Sequence, residues 1–167
     1  MNTIVAVDQN WAIGHNGQLL YHISDDLNHF RELTTDHCII YGRKTLETFP
    51  GKKPLPHREN VILTRNLHYQ ADATIAHSLN ELRRIVSSHQ PSKVDVIGGA
   101  EIYNLLLPYC DTAYVTKILD AVPNADAHFP NLDLDSNWEL TDEGPIRYSE
   151  GFQFRFCTYH NRHPLTF

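Results

Sequence analysis

Three strand ends and one carboxylate carry the chemistry available to this chain. Val96-Ile97-Gly98-Gly99-Ala100-Glu101-Ile102-Tyr103 reads as an apolar strand that stops at two glycines and then starts a helix. Backbone without a Cβ lets a ligand approach closely. The N–H groups of the helix that follows favour an anion. Gly42-Arg43-Lys44-Thr45 repeats the pattern with two cations and a hydroxyl, which suits a dinucleotide pyrophosphate. It is not a Walker loop: the earlier glycine is missing and Arg43 follows Gly42. Thr64-Arg65 adds a hydroxyl and a guanidinium at a third strand end, a pair suited to a phosphate monoester. Asp26 differs in kind. Phe30 follows it one turn later on the same helical face, and Ile23 and Leu27 stand close in sequence. Asp25 and Asp26 either satisfy the helix's positive end in water, or one points into an apolar cleft. In a cleft, desolvation raises its pKa and lets it hold or deliver a proton. A lone carboxylate suits protonation or binding of a basic heterocycle better than two-carboxylate hydrolysis. Neither GxGxxG nor GxSxG occurs, which removes the standard dinucleotide fingerprint and the nucleophile elbow.

The elements that must position these groups are short and alternate. Strands are expected at 3–8, 38–41, 60–64, 74–76, 93–97, 112–118, 138–142 and 152–159, all rich in Val, Ile, Tyr or Phe. Ser24 is expected to cap a helix starting at Asp25. Ser78-Leu79-Asn80-Glu81 matches a capping box and opens a helix over 79–88. Further helices are expected after Gly42 and over 100–107. Alternating β and α points to an α/β domain with a largely parallel sheet, its last two strands pairing antiparallel at one edge. The segments 8–24 and 50–58 read as long loops, the first a lid with flexible points at Gly14 and Gly17. The tail after His160 is expected to be disordered.

At 167 residues the chain suits one domain. Its net charge of −6 argues against nucleic-acid binding. Yet residues 43–65 hold six cations against two carboxylates, as a site for a small polyanion would. No apolar run approaches a membrane span and no export signal is visible, so a cytoplasmic location is expected. The three cysteines suit a reducing compartment rather than a disulfide frame. The eleven histidines include His160 and His163 but no paired second motif, so no metal is expected.

Taken together, these pieces resemble the dihydrofolate reductase family over nearly the whole chain. The matching segments, in the family's order, begin with Ile4-Val5-Ala6-Val7-Asp8 and Ala12-Ile13-Gly14. Asp25-Asp26-Leu27 with Phe30 follows, then Gly42 to Thr48, then Pro54 to Arg58 with Asn60 to Arg65. Val96 to Tyr103, Tyr114-Val115-Thr116 and Asp126 to Pro130 complete the series. The resemblance implies an eight-stranded, mostly parallel sheet with an antiparallel carboxyl-terminal edge and about four helices. Residues 38–89 would form an adenosine-binding subdomain of a single domain over 1–167. It implies reduction of 7,8-dihydrofolate to 5,6,7,8-tetrahydrofolate, with hydride from NADPH to C6 and protonation at N5.

By the same resemblance, Asp26 would bind the 2-amino and N3 side of the pterin, with Thr116 hydrogen-bonded to it. Val5 and Ile97 would offer carbonyls near the pterin ring. Leu27, Phe30, Phe49 and Leu55 would line the aminobenzoyl channel, with Leu19 beside them, and Arg58 would clamp the glutamate. Ala6, Ile13 and Gly14 would frame the nicotinamide, and Tyr103 would lie near both ligands. Gly42, Arg43, Lys44 and Thr45, with Gly98, Gly99, Ala100, Glu101 and Ile102, would hold pyrophosphate and adenosine. Thr64 and Arg65 would take the 2′-phosphate, Leu63 would belong to the cofactor site, and His77 would approach the adenine. The Gly98-Gly99 peptide would be cis. A monomer that binds antifolates is implied. One departure stands out: Leu20-Tyr21 replaces the family's Pro-Trp, which puts Tyr21 in the catalytic set with altered geometry. Two other readings remain: a related NADPH-dependent pyrimidine or pterin reductase, and a catalytically impaired folate-binding paralogue. A plain nucleotide-binding domain would need Asp26 fully exposed.

Overall fold

Alternation along one strand sets the layers. In Cys38–Gly42, Cys38 and Ile40 join one core while Ile39 and Tyr41 join another on the opposite face. A strand whose two faces are both apolar must be covered on both sides, as in parallel sheets flanked by helices. The computed structural model describes residues 1–167.

The strands are β1 (Asn2–Val7), β2 (Ala12–His15), β3 (Gln18–Leu19), β4 (Cys38–Gly42), β5 (Glu59–Leu63) and β6 (Thr74–Ala76). Then come β7 (Val94–Gly98), β8 (Thr112–Ile118), β9 (Ala127–His128), β10 (Trp138–Glu143), β11 (Arg147–Ser149) and β12 (Phe152–Asn161). The helices are α1 (Ser24–Thr34), α2 (Arg43–Leu46), α3 (Leu79–Val86) and α4 (Ala100–Leu106). Eight strands lie in the order β10-β12-β8-β1-β7-β4-β5-β6, with β11 attached to β12. From β8 to β6 every pairing is parallel; β12 runs antiparallel to β8 and to β10. Leu82 and Val86 of α3 and Ile102 and Leu106 of α4 pack into the larger core. Phe30 of α1 packs on the smaller one, on the other face.

Several expected details change. The segment 8–24 is not one long loop. Within it β2 and β3 form a hairpin, and β2 also pairs with β9, making a second three-stranded sheet. Gly14 is a strand residue, while Gly17 sits in the turn at φ 75°. β1 stops before Asp8 because the Asp8 carboxylate accepts from the backbone N–H of Asn10, Ala12 and Val122. Ser24 does not cap α1. Ile23 is the cap residue, and the Ser24 hydroxyl donates to Glu150, held in a left-handed turn (φ 54°) beside β12. The capping box at α3 is half realised. Ser78 Oγ accepts from Glu81 N–H at 3.1 Å, but the Glu81 carboxylate reaches back to His77 N–H rather than to Ser78. The tail is docked: Leu165 N–H donates to Pro108 carbonyl oxygen, and Phe167 packs edge-on to Tyr109 under Arg83. All three cysteines are buried and unpaired.

Candidate active site

One cavity of about 1630 Å³ opens at the carboxyl ends of the parallel strands and runs between the β2–β3 hairpin and α1. Ligands in open parallel sheets gather at this end. Its floor holds Asp26. The first turn of α1 carries Asp25 outward into solvent and Asp26 inward, against Thr116 on β8. Thr116 Oγ1 donates to Asp26 Oδ1 at 2.6 Å. Burial dominates and pushes the Asp26 carboxyl up from its ordinary range. The Thr116 hydroxyl and the His29 ring pull it partly back. Asp26 is not exposed, which removes the plain nucleotide-binding reading.

The apolar wall beside Asp26 is built by three elements. Leu27 and Phe30 come from α1, Phe49 from the segment after α2, and Leu55 from the loop before β5. Leu55 is fixed by the buried Asn60 side chain, which accepts from Leu55 N–H and donates to its carbonyl at 3.0 and 2.8 Å. Beyond the apolar wall lies Arg58. Its Nε donates to Thr34 Oγ1 on α1 and its Nη1 to the Pro56 carbonyl, so the fork is oriented before any ligand arrives. Burial, then the neighbouring Arg31 charge, lowers the Arg58 pKa.

The other arm of the cavity is lined by the three strand ends. A Cβ at Gly42 would meet Ile102 at 3.0 Å, and one at Gly98 or Gly99 would approach Thr45 Oγ1 at 3.6–3.7 Å. Gly98 sits at φ 135°, and the Gly98-Gly99 peptide is cis, as the resemblance implied. The cap residues of α2 and α4 are Gly42 and Gly99, which offer no side chain to the first-turn N–H groups. Those groups, with Arg43, Lys44 and Arg65 on the same wall, form a donor set for phosphates. Val5, Ala6, Ile13, Gly14, Leu19, Leu63, Thr64, His77, Ile97, Ala100, Glu101 and Tyr103 also face this cavity. Thus every ligand-site residue that the resemblance implied lines one continuous space, whereas Asp25 does not.

Three findings lay outside the sequence reading. Tyr103 O–H donates to the Ile4 carbonyl at 2.7 Å, and its oxygen lies 3.6 Å from the position a Cβ would take at Gly98, on the cavity wall. His29, three residues after Asp26, lines the cavity and stacks on Phe156 with centroids 3.9 Å apart. The i, i+3 spacing on the Asp26 face was the signal that could have revealed it. Arg31 also reaches the wall.

Tyr21 needs a correction. Its ring lines the cavity edge-on to Phe152, but its O–H donates to Asp120 Oδ2 at 3.0 Å. In this arrangement that hydrogen is not offered to a ligand; it ties the lid to the turn after β8. Tyr21→Phe should therefore lower Tm by about 2–6 °C while changing turnover by less than about tenfold. Differential scanning calorimetry and steady-state rates check this; a hundredfold rate loss with an unchanged Tm would place the hydroxyl in the chemistry instead.

A family model described as Dihydrofolate reductase matches residues 1–161. The chain belongs to the dihydrofolate reductase family. A dihydrofolate reductase of Bacillus subtilis is 36% identical over 163 residues, covering 95% of this chain and 93% of that protein. One from Mycobacterium tuberculosis is 35% identical over 153 residues, covering 89% and 90%. Among solved structures, dihydrofolate reductase from Enterococcus faecalis in complex with NADP(H) and RAB-propyl superposes with a TM-score of 0.83 at 33% identity. It covers 96% of this chain and 95% of that one.

Proposed function

We propose that Asp26 and Thr116 form the acid site for NADPH-dependent reduction of 7,8-dihydrofolate to tetrahydrofolate. The observation that carries this is a desolvated carboxylate, hydrogen-bonded by a threonine, on the floor of a cavity whose other arm is lined by Arg43, Lys44, Arg65 and the glycine-capped helix starts. The chain is an oxidoreductase of this reaction by family. When bound, NADPH supplies the hydride. The residues fit it: glycines clear a path for the pyrophosphate, Arg43, Lys44 and Thr45 hold it, and Thr64 and Arg65 take the 2′-phosphate. Leu63 and His77 flank the adenosine, and Ala6, Ile13 and Gly14 frame the nicotinamide.

Asp26 binds the 2-amino and N3 edge of the pterin and promotes protonation at N5. Its raised pKa serves this, because a base with higher proton affinity holds a cationic heterocycle more firmly. Val5, Ala6, Ile97 and Tyr103 enclose the pterin, and Leu19, Leu27, Phe30, Phe49 and Leu55 exclude water along the aminobenzoyl arm. Arg58 then meets the glutamate carboxylate, its donors already aimed. Tyr21 acts through the lid, by its bond to Asp120. In this reading residues 38–89 hold the adenosine side of a single domain, and the enzyme works as a cytoplasmic monomer open to antifolates. No helix is long and apolar enough to cross a membrane.

The test is NADPH absorbance decay with and without dihydrofolate, with NADH in parallel. Loss of absorbance that needs dihydrofolate supports the reading. Saturable NADPH binding without consumption would favour the impaired paralogue; consumption with a pyrimidine substrate instead would favour the related reductase.

A further inference from the structure

We propose that Cys38, Glu59 and His89 form a zinc-binding site at the amino ends of β4 and β5. This site lies at the opposite end of the strands from the active-site cavity, and it is independent of the function proposed for that cavity. Cys38 and Glu59 are the first residues of neighbouring parallel strands and are partners in register. Cys38 belongs to the core that α3 and α4 cover, on the face of β4 opposite Ile39. His89 follows α3 and is fixed by its own N–H, which donates to the Val86 carbonyl at 2.9 Å. One thiol, one carboxylate and one imidazole thus converge, with their ligand atoms all within 4.8 Å of one another.

The donor set selects the ion. Thiolate and imidazole favour Zn²⁺ over Mg²⁺ or Ca²⁺, which require oxygen shells. A tetrahedral zinc with bonds of about 2.0–2.3 Å leaves a fourth position for water. His89 Nε2 now lies 2.5 Å from Glu59 Oε2, so accepting the ion requires that pair to part by roughly 1 Å. Both side chains keep part of their surface in solvent, which provides a route for the ion and room for that shift. Ser88 Oγ lies 3.5 Å from His89 Nδ1, on the side an outer partner occupies in zinc sites. The carboxyl end of α3 directs negative potential at the same place.

Burial, then Glu59 and Asp95, push the Cys38 thiol up to about 12, so without a cation it keeps its proton. Binding breaks the S–H bond, forms Zn–S, Zn–N and Zn–O bonds, and releases that proton to buffer. The ion would staple the amino ends of two neighbouring parallel strands, β4 and β5, to the segment after α3. It touches no residue of the active-site cavity, so it should change stability and leave turnover alone.

Metal-free protein titrated with ZnCl₂ and with CoCl₂ tests this. One ion per chain should bind, cobalt should show a thiolate charge-transfer band, zinc should raise Tm, and dihydrofolate turnover should stay unchanged. His89→Gln and Glu59→Gln, both at partly exposed positions, should each weaken binding by about 100-fold or more and remove the rise in Tm. Cys38→Ser should lose the charge-transfer band. His163→Gln, a control for the histidines of the tail, should bind like the parent. A cobalt complex without the thiolate band, unchanged affinity in His89→Gln and Glu59→Gln, or loss in His163→Gln would overturn the site.

Discussion

Asp26→Asn should lower kcat/KM for dihydrofolate at neutral pH by about 100-fold or more, with NADPH affinity intact. The asparagine keeps the size of the carboxylate and its Oδ1 can still accept from Thr116. What it loses is the negative charge and the proton. The wild-type rate should fall as pH rises through the raised pKa of Asp26, and the variant's residual rate should lack that limb. Wild-type stability should fall over the same rise in pH, so the substitution, which lowers the rate, should act on stability with the opposite sign. A carboxyl whose folded pKa lies above its unfolded value of about 3.9 binds its proton more tightly in the native state. As pH rises from the unfolded value to the folded one, the native chain therefore holds more protons and loses stability. Above the folded pKa the penalty stays constant. Asparagine carries no such penalty, so Tm of the variant relative to wild type should climb across that window. Rate profiles and melting curves at several pH values check both signs. Near-normal turnover would remove Asp26 from the mechanism, and loss of NADPH binding as well would mean the cavity had collapsed.

Arg65→Ala should weaken NADPH binding by about 10- to 100-fold and leave NADH binding nearly unchanged, since only NADPH carries the 2′-phosphate. Arg65 is 91% exposed and its one ion pair, with Glu101 at 3.2 Å, is 82% exposed on the other side. An exposed pair of this kind adds little to folding, so Tm should barely move. Glu101 holds the guanidinium over the cavity wall but also places a negative charge near an incoming phosphate. The NADPH penalty should consequently shrink at high salt, where both terms are screened. Dissociation constants for the two cofactors at two salt concentrations check this. Equal losses for NADPH and NADH would assign Arg65 another role.

The legible parts of this protein were those written in local pattern. Short β-branched runs announced β1, β4, β5, β7 and β8, with no end displaced by more than one residue and β8 placed at both ends. The glycines of the strand ends were legible for two different reasons: a Cβ at Gly42 would crowd Ile102 at 3.0 Å, and Gly98 sits at φ 135°, which side-chain-bearing residues rarely adopt. The small second sheet was not, because Ala12–His15, Gln18–Leu19 and Ala127–His128 are too short to show a period and exist only by pairing with one another. Ser24 failed as a cap for a similar reason. Its local preference was overruled by Glu150, which lies 126 residues away along the chain.

By itself, then, the amino-acid sequence determined the α/β alternation, the anion-binding strand ends and the presence of a carboxylate on an apolar helical face. Those properties follow from side-chain size, charge and period over a few residues. Only the tertiary structure decided which of Asp25 and Asp26 turned inward, because that depends on where α1 lies against Thr116 of β8, 90 residues on. It also decided that the Tyr21 hydroxyl belongs to Asp120 and that the Tyr103 hydroxyl belongs to Ile4. A hydroxyl can satisfy its hydrogen bond with many acceptors, and the partner it takes is the one that distant packing brings within about 3 Å.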